Sequence, residues 1–184
     1  MKVSKETSAR HRAALLEAAS RLFRERGFEG VSIADIAAAA GLTHGAFYTY
    51  FTSKDALCAE VVERGIGESA AMAKAVPNRR RVERYLSAAH AADRAEGCAI
   101  AALSGDVARE SPEVRAAFSR SIDQLFDVLV KERPAGTPYP RDPGIVSLAT
   151  RIGALVLARA TTDPRLRDEI LRAAKRALVG PASR

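Results

Sequence analysis

The sequence predicts an all-α protein, and three observations carry that expectation. Alanine dominates an apolar fraction of 47%, while aromatics make up 5% and Trp is absent. Ala is the best helix former and adds little core volume, so the chain reads as close-packed helices. Apolar residues recur at helical spacing along most of the chain, and no segment alternates with the period of a strand. Capping residues and Pro-acid pairs mark helix starts at regular intervals.

After a polar arm over residues 1–7, the first helix is expected from about Ser8 to Arg26. Its apolar positions Leu15, Ala18, Ala19, Leu22 and Phe23 fall on one face, and Gly27 stops it. Ser32 can cap a short second helix ending near Ala40, with Asp35 reaching back as in a capping box. Gly41 allows the next turn. Thr43 is the natural N-cap of a third short helix through about Tyr50. Ser53 caps a long fourth helix to about Ala75, with Asp55 in its first turn, where the dipole favours an acid. Pro77-Asn78 breaks the chain. A fifth helix follows over about 79–92 and a sixth from Cys98 to about Glu110. Ser111-Pro112-Glu113 opens a seventh. The Pro-rich stretch Pro134–Pro143 reads as a loop. Asp142-Pro143 and Asp163-Pro164 start the eighth and ninth helices, and Gly180-Pro181 ends the fold. The whole is about nine helices.

Charge and cysteines constrain function only loosely. The net charge of +7 suggests a polyanionic partner. Yet residues 1–60 hold 8 Lys/Arg against 7 Asp/Glu, and the remainder 21 against 15, so the excess lies outside the first helices. Two cysteines, Cys58 and Cys98, are too few for a disulfide scaffold. The N-terminus is polar and lacks a signal-peptide apolar region. The smooth stretch Ile145–Ala158 is interrupted by Arg151 and is expected to be too short to span a bilayer. A cytoplasmic protein with no membrane contact is expected. The three histidines, His11, His44 and His90, lie on different elements, with no carboxylate or Cys at metal-ligand or triad spacing. No catalytic residue, metal site or cofactor is therefore assigned.

The first three helices form a helix-turn-helix. Ile33, Ile36, Ala37 and Leu42 would pack the short helices onto the first, and Phe47 and Phe51 would anchor the third. Thr43, His44, Tyr48 and Thr49 are left on its other faces. A short helix packed on one side and polar on the other suits the DNA major groove, although the same geometry also occurs in ordinary helical cores.

The stretch from Val31 to Lys54 contains Ile36-Ala37, Ala40-Gly41, Gly45, Phe47-Tyr48 and Tyr50-Phe51. With Leu57 and the upstream Ala18-Ala19, Leu22-Phe23 and Gly27-Phe28, it resembles the DNA-binding domain of the tetracycline-repressor (TetR) family. The resemblance covers about residues 8–68, with the helix-turn-helix motif at about 31–50, and leaves 69–184 as a helical ligand-binding and dimerisation domain. It implies a ligand-responsive regulator, usually a repressor, that binds a near-palindromic duplex operator as a homodimer and is released by a small-molecule effector. It implies DNA contacts by Ser32, Thr43, His44, Gly45, Tyr48, Thr49, Tyr50 and Lys54. Among these, His44 would read bases, where many relatives carry Arg or Gln. Gly45 would permit close approach, Thr49 would touch a base edge or a thymine methyl, and Tyr48, Tyr50, Thr43 and Lys54 would contact phosphates. For Tyr50, packing against the first helix is the alternative.

Tyr85–His90, Gly97–Leu103, Val107–Arg109 and Val114–Phe118 are similar to one subgroup of the family, in which the C-terminal domain carries the dimer interface and the effector pocket. Candidate interface residues are Ile152, Leu155, Val156, Ile170, Leu171 and Ala174, from two amphipathic helices that could form a four-helix seam with a twofold mate or simply cover their own core. Candidate pocket residues, on the fourth to seventh helices, are Ile66, Met72, Tyr85, Leu86, His90, Leu103, Phe118 and Phe126, each of which plain core packing would also explain. Cys98, at a predicted helix start, has two readings. The helix dipole would favour a reactive thiolate and a regulator controlled by covalent or redox modification; an apolar setting would make it a small buried hydrophobe.

Overall fold

In the computed structural model, which describes residues 5–130, 139 and 141–180, ten helices and no strands are found among the described residues. The sequence readings for residues 1–4, for most of the Pro134–Pro143 loop and for Pro181 lie outside those residues. The helices are α1 (Lys5–Arg26), α2 (Ile33–Ala39), α3 (His44–Phe47), α4 (Lys54–Ala75), α5 (Asn78–Tyr85), α6 (Ala88–Ala92), α7 (Ala99–Val107), α8 (Pro112–Val130), α9 (Asp142–Ala160) and α10 (Pro164–Val179).

Local chemistry accounts for most helix ends. The Ser32 hydroxyl accepts the Asp35 N–H at 3.1 Å, and the Asp35 carboxylate accepts the Ser32 N–H at 2.8 Å, which completes the capping box. Thr43, Ser53 and Asp163 cap α3, α4 and α10 through their side-chain oxygens. Gly27 and Gly41 turn the chain with φ of +74° and +69°, a region that residues with a Cβ avoid. The expected fifth helix is two. Leu86 leaves helical geometry at φ −93°, ψ 52°, and Ser87 accepts the His90 N–H to start α6. The free carbonyls at the end of α6 are taken up by Arg159, which donates to His90 O at 3.1 Å, Ala91 O at 3.3 Å and Asp93 O at 2.8 Å.

Two apolar clusters hold the helices together. The larger runs without interruption from Leu15, Phe23, Ile36 and Phe47 through Leu57, Val61, Val62 and Ile66 of α4 to Ile100, Leu103, Val114 and Leu125. The smaller joins Val82 and Leu86 of α5 and its C-cap to Leu155, Ala158, Leu171 and Ala174. The most extensive packing is α4 along α8, followed by α9 against α10. At 19 residues, α9 is long and apolar enough, by length and composition alone, to span a bilayer, contrary to the sequence expectation. The reason is that the helix extends past the smooth stretch at both ends, so Arg151 is averaged into an apolar window. Here Leu148, Arg151, Ala154, Leu155 and Ala158 are buried against protein.

The crossing of α4 and α7 requires a residue without a side chain. A Cβ built on Gly65 would overlap the Cβ of Ala99, which is rigidly attached to its backbone. Gly67, two residues on, faces open space. Gly67→Ala should stabilise the protein by up to about 1 kcal/mol through helix propensity. Gly65→Ala should instead destabilise it by about 1–3 kcal/mol through overpacking. Urea denaturation of the two variants checks the pair; stabilisation by both would remove the close crossing.

Candidate DNA-reading surface and effector cavity

The helix-turn-helix presents a small polar face. Phe47 is fully buried and Phe51 nearly so, so α3 is pinned by its inward side chains. Thr43, His44, Gly45, Tyr48 and Thr49 are exposed, with Tyr48 54% accessible. The His44 and Tyr48 rings meet edge to face at 5.6 Å, forming one aromatic ridge. The α-helical turn is only four residues long and stops at Phe47, shorter than the spacing predicts; Tyr48 is its C-cap. Ser32 is exposed at the start of α2.

Two residues of the expected contact set are engaged inside the protein. The Tyr50 hydroxyl lies 3.2 Å from His11 Nδ1, which ties the residue to α1. Lys54 Nζ donates to Phe28 O at 2.6 Å and stands 6.0 Å from the centre of the Phe23 ring. It fastens the start of α4 to the α1–α2 turn. A second tie comes from Asp106 at the end of α7, whose Oδ2 accepts the Phe28 N–H at 3.3 Å.

Residues of α4 to α9, with Arg24 of α1, line an open cavity of about 480 Å³. Of the pocket residues expected from sequence, Met72, Tyr85 and His90 line it. Ile66, Leu86 and Leu103 are buried in the two cores, and Phe118 and Phe126 pack against the larger one. Cys98 lines the cavity and is half-buried. Four arginines absent from the expectation, Arg24, Arg81, Arg84 and Arg151, are also on its walls. The one signal for them was Arg151, a cation inside an otherwise apolar stretch.

His90 shapes one wall. Its Nδ1 is 2.7 Å from Tyr85 O and its Nε2 accepts the Cys98 N–H at 3.3 Å. This pattern requires a neutral ring with the proton on Nδ1. Burial lowers its pKa, outweighing the Tyr85 carbonyl, and Arg159 pushes the same way. Cys58, by contrast with Cys98, is buried in α4 with its thiol pushed up to about 12 by burial.

The expected interface residues divide. Leu155, Leu171 and Ala174 are buried in the chain's own smaller core, because α9 and α10 pack on each other along those positions. Ile152 and Ile170 are partly buried. Val156 is 44% and its neighbour Leu157 59% accessible.

A histidine whose folded pKa is depressed binds fewer protons folded than unfolded, so it adds stability at neutral pH that is lost as pH falls below the usual histidine value near 6.5. Wild-type protein should therefore lose melting temperature between pH 7.5 and 5.5 more steeply than His90→Gln, as read by circular dichroism. Parallel losses would contradict the neutral His90 bridge.

Residues 15–61 match the family of bacterial regulatory proteins described as the tetR family. The transcriptional repressor DhaR of Mycobacterium sp. (strain GP1) is 31% identical over 116 residues, 60% of this chain and 59% of DhaR, so the matched stretch spans less than two thirds of that relative. Among solved structures, the reduced form of E. coli NemR superposes with a TM-score of 0.74 at 22% identity, covering 94% of this chain and 99% of NemR. AibR, in a complex with isovaleryl coenzyme A and operator DNA, gives 0.59 at 20% identity, covering 93% and 99%. At those identities the likeness is one of fold, while the helix-turn-helix match is one of sequence. Residues 15–61 thus carry a helix-turn-helix domain of the tetR family.

Proposed function

We propose that the chain is a cytoplasmic, homodimeric transcriptional repressor, not an enzyme, that binds a near-palindromic duplex operator and is released by a small-molecule effector. The single observation that carries this reading is α3, anchored by buried Phe47 and exposing Thr43, His44, Gly45, Tyr48 and Thr49 together. In this reading residues 8–68 form the DNA-binding domain and 69–184 the ligand-binding and dimerisation domain. AibR, in whose structure operator DNA and an acyl-coenzyme A are both present, supports the pairing of DNA with a ligand in this fold.

The exposed side of α9 supports dimerisation. Val146, Ala149, Gly153, Val156, Leu157 and Ala160 are accessible on one chain and fall at helical spacing. In a twofold pair this stripe, with the outer side of α10, would form the seam. Because Leu155 and Leu171 serve the chain's own core, the discriminating substitutions are Val156→Asp and Leu157→Asp. The double variant is expected to sediment as a folded monomer at micromolar concentration and to bind operator more weakly. A dimer of undiminished stability would exclude this seam.

Release follows from helices shared with the cavity. α4 starts beside Phe28 through Lys54 and lines the cavity from Gly65 to Ala73. α7 lines it at Cys98–Ile100 and ends at the Asp106–Phe28 bond. A ligand that favours another tilt of these helices changes the separation of the two reading heads, by no more than its differential affinity for the two states allows.

A second reading is covalent control at Cys98, favoured by its place on the cavity wall. Mass spectrometry after quinone treatment, with operator affinity of wild type and Cys98→Ser, separates the two; modification at Cys98 without change in DNA affinity rejects it.

DNA binding is tested by mobility shift on the upstream region of the chain's own gene. His44→Ala should change preference among operator variants by about 1–3 kcal/mol. Lys54→Ala should weaken binding to every duplex; if its ammonium reaches a phosphate as well as Phe28 O, the salt slope drops by about one. Equal losses for both variants on every sequence would remove base reading from His44.

A further inference from the structure

We propose that the cavity takes an anionic amphiphile, a carboxylic acid with a compact apolar body, its carboxylate held by the Arg151 guanidinium and the Tyr85 hydroxyl. This deepens the effector reading and rests on it for any consequence at DNA, but the binding itself is a property of the cavity.

Arg151 sits in the middle of α9 and is only 7% accessible. Its Nε donates to Ser147 O, one turn back, at 3.2 Å, and its two terminal nitrogens have no partner among the described residues. The guanidinium stands 5.8 Å from the centre of the Tyr85 ring. The Tyr85 hydroxyl is itself buried without a hydrogen-bond partner. Two donors thus face one wall where, among the described residues, the only neighbouring acceptor is the Cys98 thiol, a weak one. A buried cation and a buried hydroxyl are both costly unless they are paired.

Among the described residues, the surroundings do not supply an anion to Arg151. Apart from burial, the groups acting on Arg151 are Tyr85, Arg81 and Cys98, with no carboxylate among them. Arg81 is also buried, so it adds positive charge near the same wall, and it donates to Ala73 O and Asn78 Oδ1. The acids on the cavity wall, Glu68, Asp93 and Glu96, are exposed at its rim. Glu68 is paired with Arg64 at 3.0 Å, and Asp93 accepts the Glu96 N–H at 3.0 Å. Burial, reinforced by the neighbouring Cys98 thiol, pushes the Tyr85 phenol well up, so it keeps its proton and can only gain from an acceptor. Burial lowers Arg151 from its usual value, yet an arginine stays charged at neutral pH.

The rest of the lining fixes the other end of the ligand. Ala99, Ile100, Leu125, Leu129 and Leu148 present apolar surface to the same space. Its volume, about 480 Å³, falls in the range of small-molecule pockets. A cation would have to lie beside Arg151, and a neutral ligand would leave it without a counter-charge. A carboxylate accepts from both donors through charge-assisted bonds, and an apolar chain or ring covers the remainder.

The test is isothermal titration of the full-length protein, without DNA, against matched probes: octanoate, octanol and octylamine, and phenylbutyrate, phenylbutanol and phenylbutylamine. Wild type should bind at least one acid about tenfold or more tightly than its alcohol, with the amine weakest. Arg151→Gln should reduce that acid to the level of the alcohol while leaving alcohol binding unchanged, which also shows that the variant is folded. Tyr85→Phe should lose about three- to tenfold for the acid alone, and it decides the matter if Arg151→Gln does not fold. The proposal is overturned if no acid binds at millimolar concentration, if an alcohol or amine matches its acid, or if the acid preference survives in the folded variants. An acid that binds through Arg151 but leaves operator affinity unchanged would instead overturn the effector reading and leave the anion site in place.

Discussion

Helices α1 to α3, α7 and α8 are arranged around the burial of one face of α4. Leu57, Val61, Val62 and Ile66 are nearly inaccessible, and they belong to the same cluster as Leu15 and Phe23 on one side and Ile100 and Val114 on the other. Burying side chains of that size contributes about 1.5–3 kcal/mol each. Short helices such as α2 and α3 do not persist alone, since nucleation is unfavourable and too few bonds follow. Their place is set by Ile36 and Phe47 packing into this shared core. The absence of a side chain at Gly65 lets α7 join the same packing. Salt bridges between α1 and α4, such as Arg12 to Glu60, lie on the surface and add little.

A consequence is that the exposed α3 face and the cavity are joined by shared helices. The cavity begins at Gly65, one residue before Ile66 in the core, and α7 touches the cavity at one end and the α1–α2 turn at the other. Densely packed helices tend to move as units because interior packing tolerates few intermediate arrangements. Of the buried polar side-chain atoms without a hydrogen-bond partner among the described residues, the Tyr85 hydroxyl lies on the cavity wall, whereas the Ser111 hydroxyl lies away from it. The α3 side, in contrast, meets solvent with groups that water can satisfy.

The helix-turn-helix was legible in sequence because local rules decide it. Ser32 and Asp35 complete their box, Thr43 and Ser53 cap as their positions suggest, and the face from Leu15 to Phe23 is the buried one. The C-terminal half was legible in approximate helix bounds, with one helix too few, but not in which faces meet. The break at Leu86-Ser87 was missed because Ser87 reads as an ordinary helix residue until its hydroxyl is seen accepting the His90 N–H. On α9 apolar residues occur nearly all round, so periodicity could not tell that Leu155 turns inward to α10 while Val156 turns out. The cavity arginines were hidden for a similar reason: a buried cation is recognised by what surrounds it, and only tertiary packing supplies that. Lys54 and Tyr50 carry an internal contact that the motif does not reveal, since the ammonium donates to Phe28 O and the hydroxyl lies against His11 Nδ1.

The account turns on whether the α3 face reads duplex DNA in twofold register. Selection of bound duplexes from a randomised pool, followed by hydroxyl-radical footprinting of the enriched site, measures this directly. The account predicts one enriched near-palindromic sequence with two protected patches on the same face, about one helical turn or 34–36 Å apart. An unenriched pool, or a single protected patch with no symmetric counterpart, would contradict it.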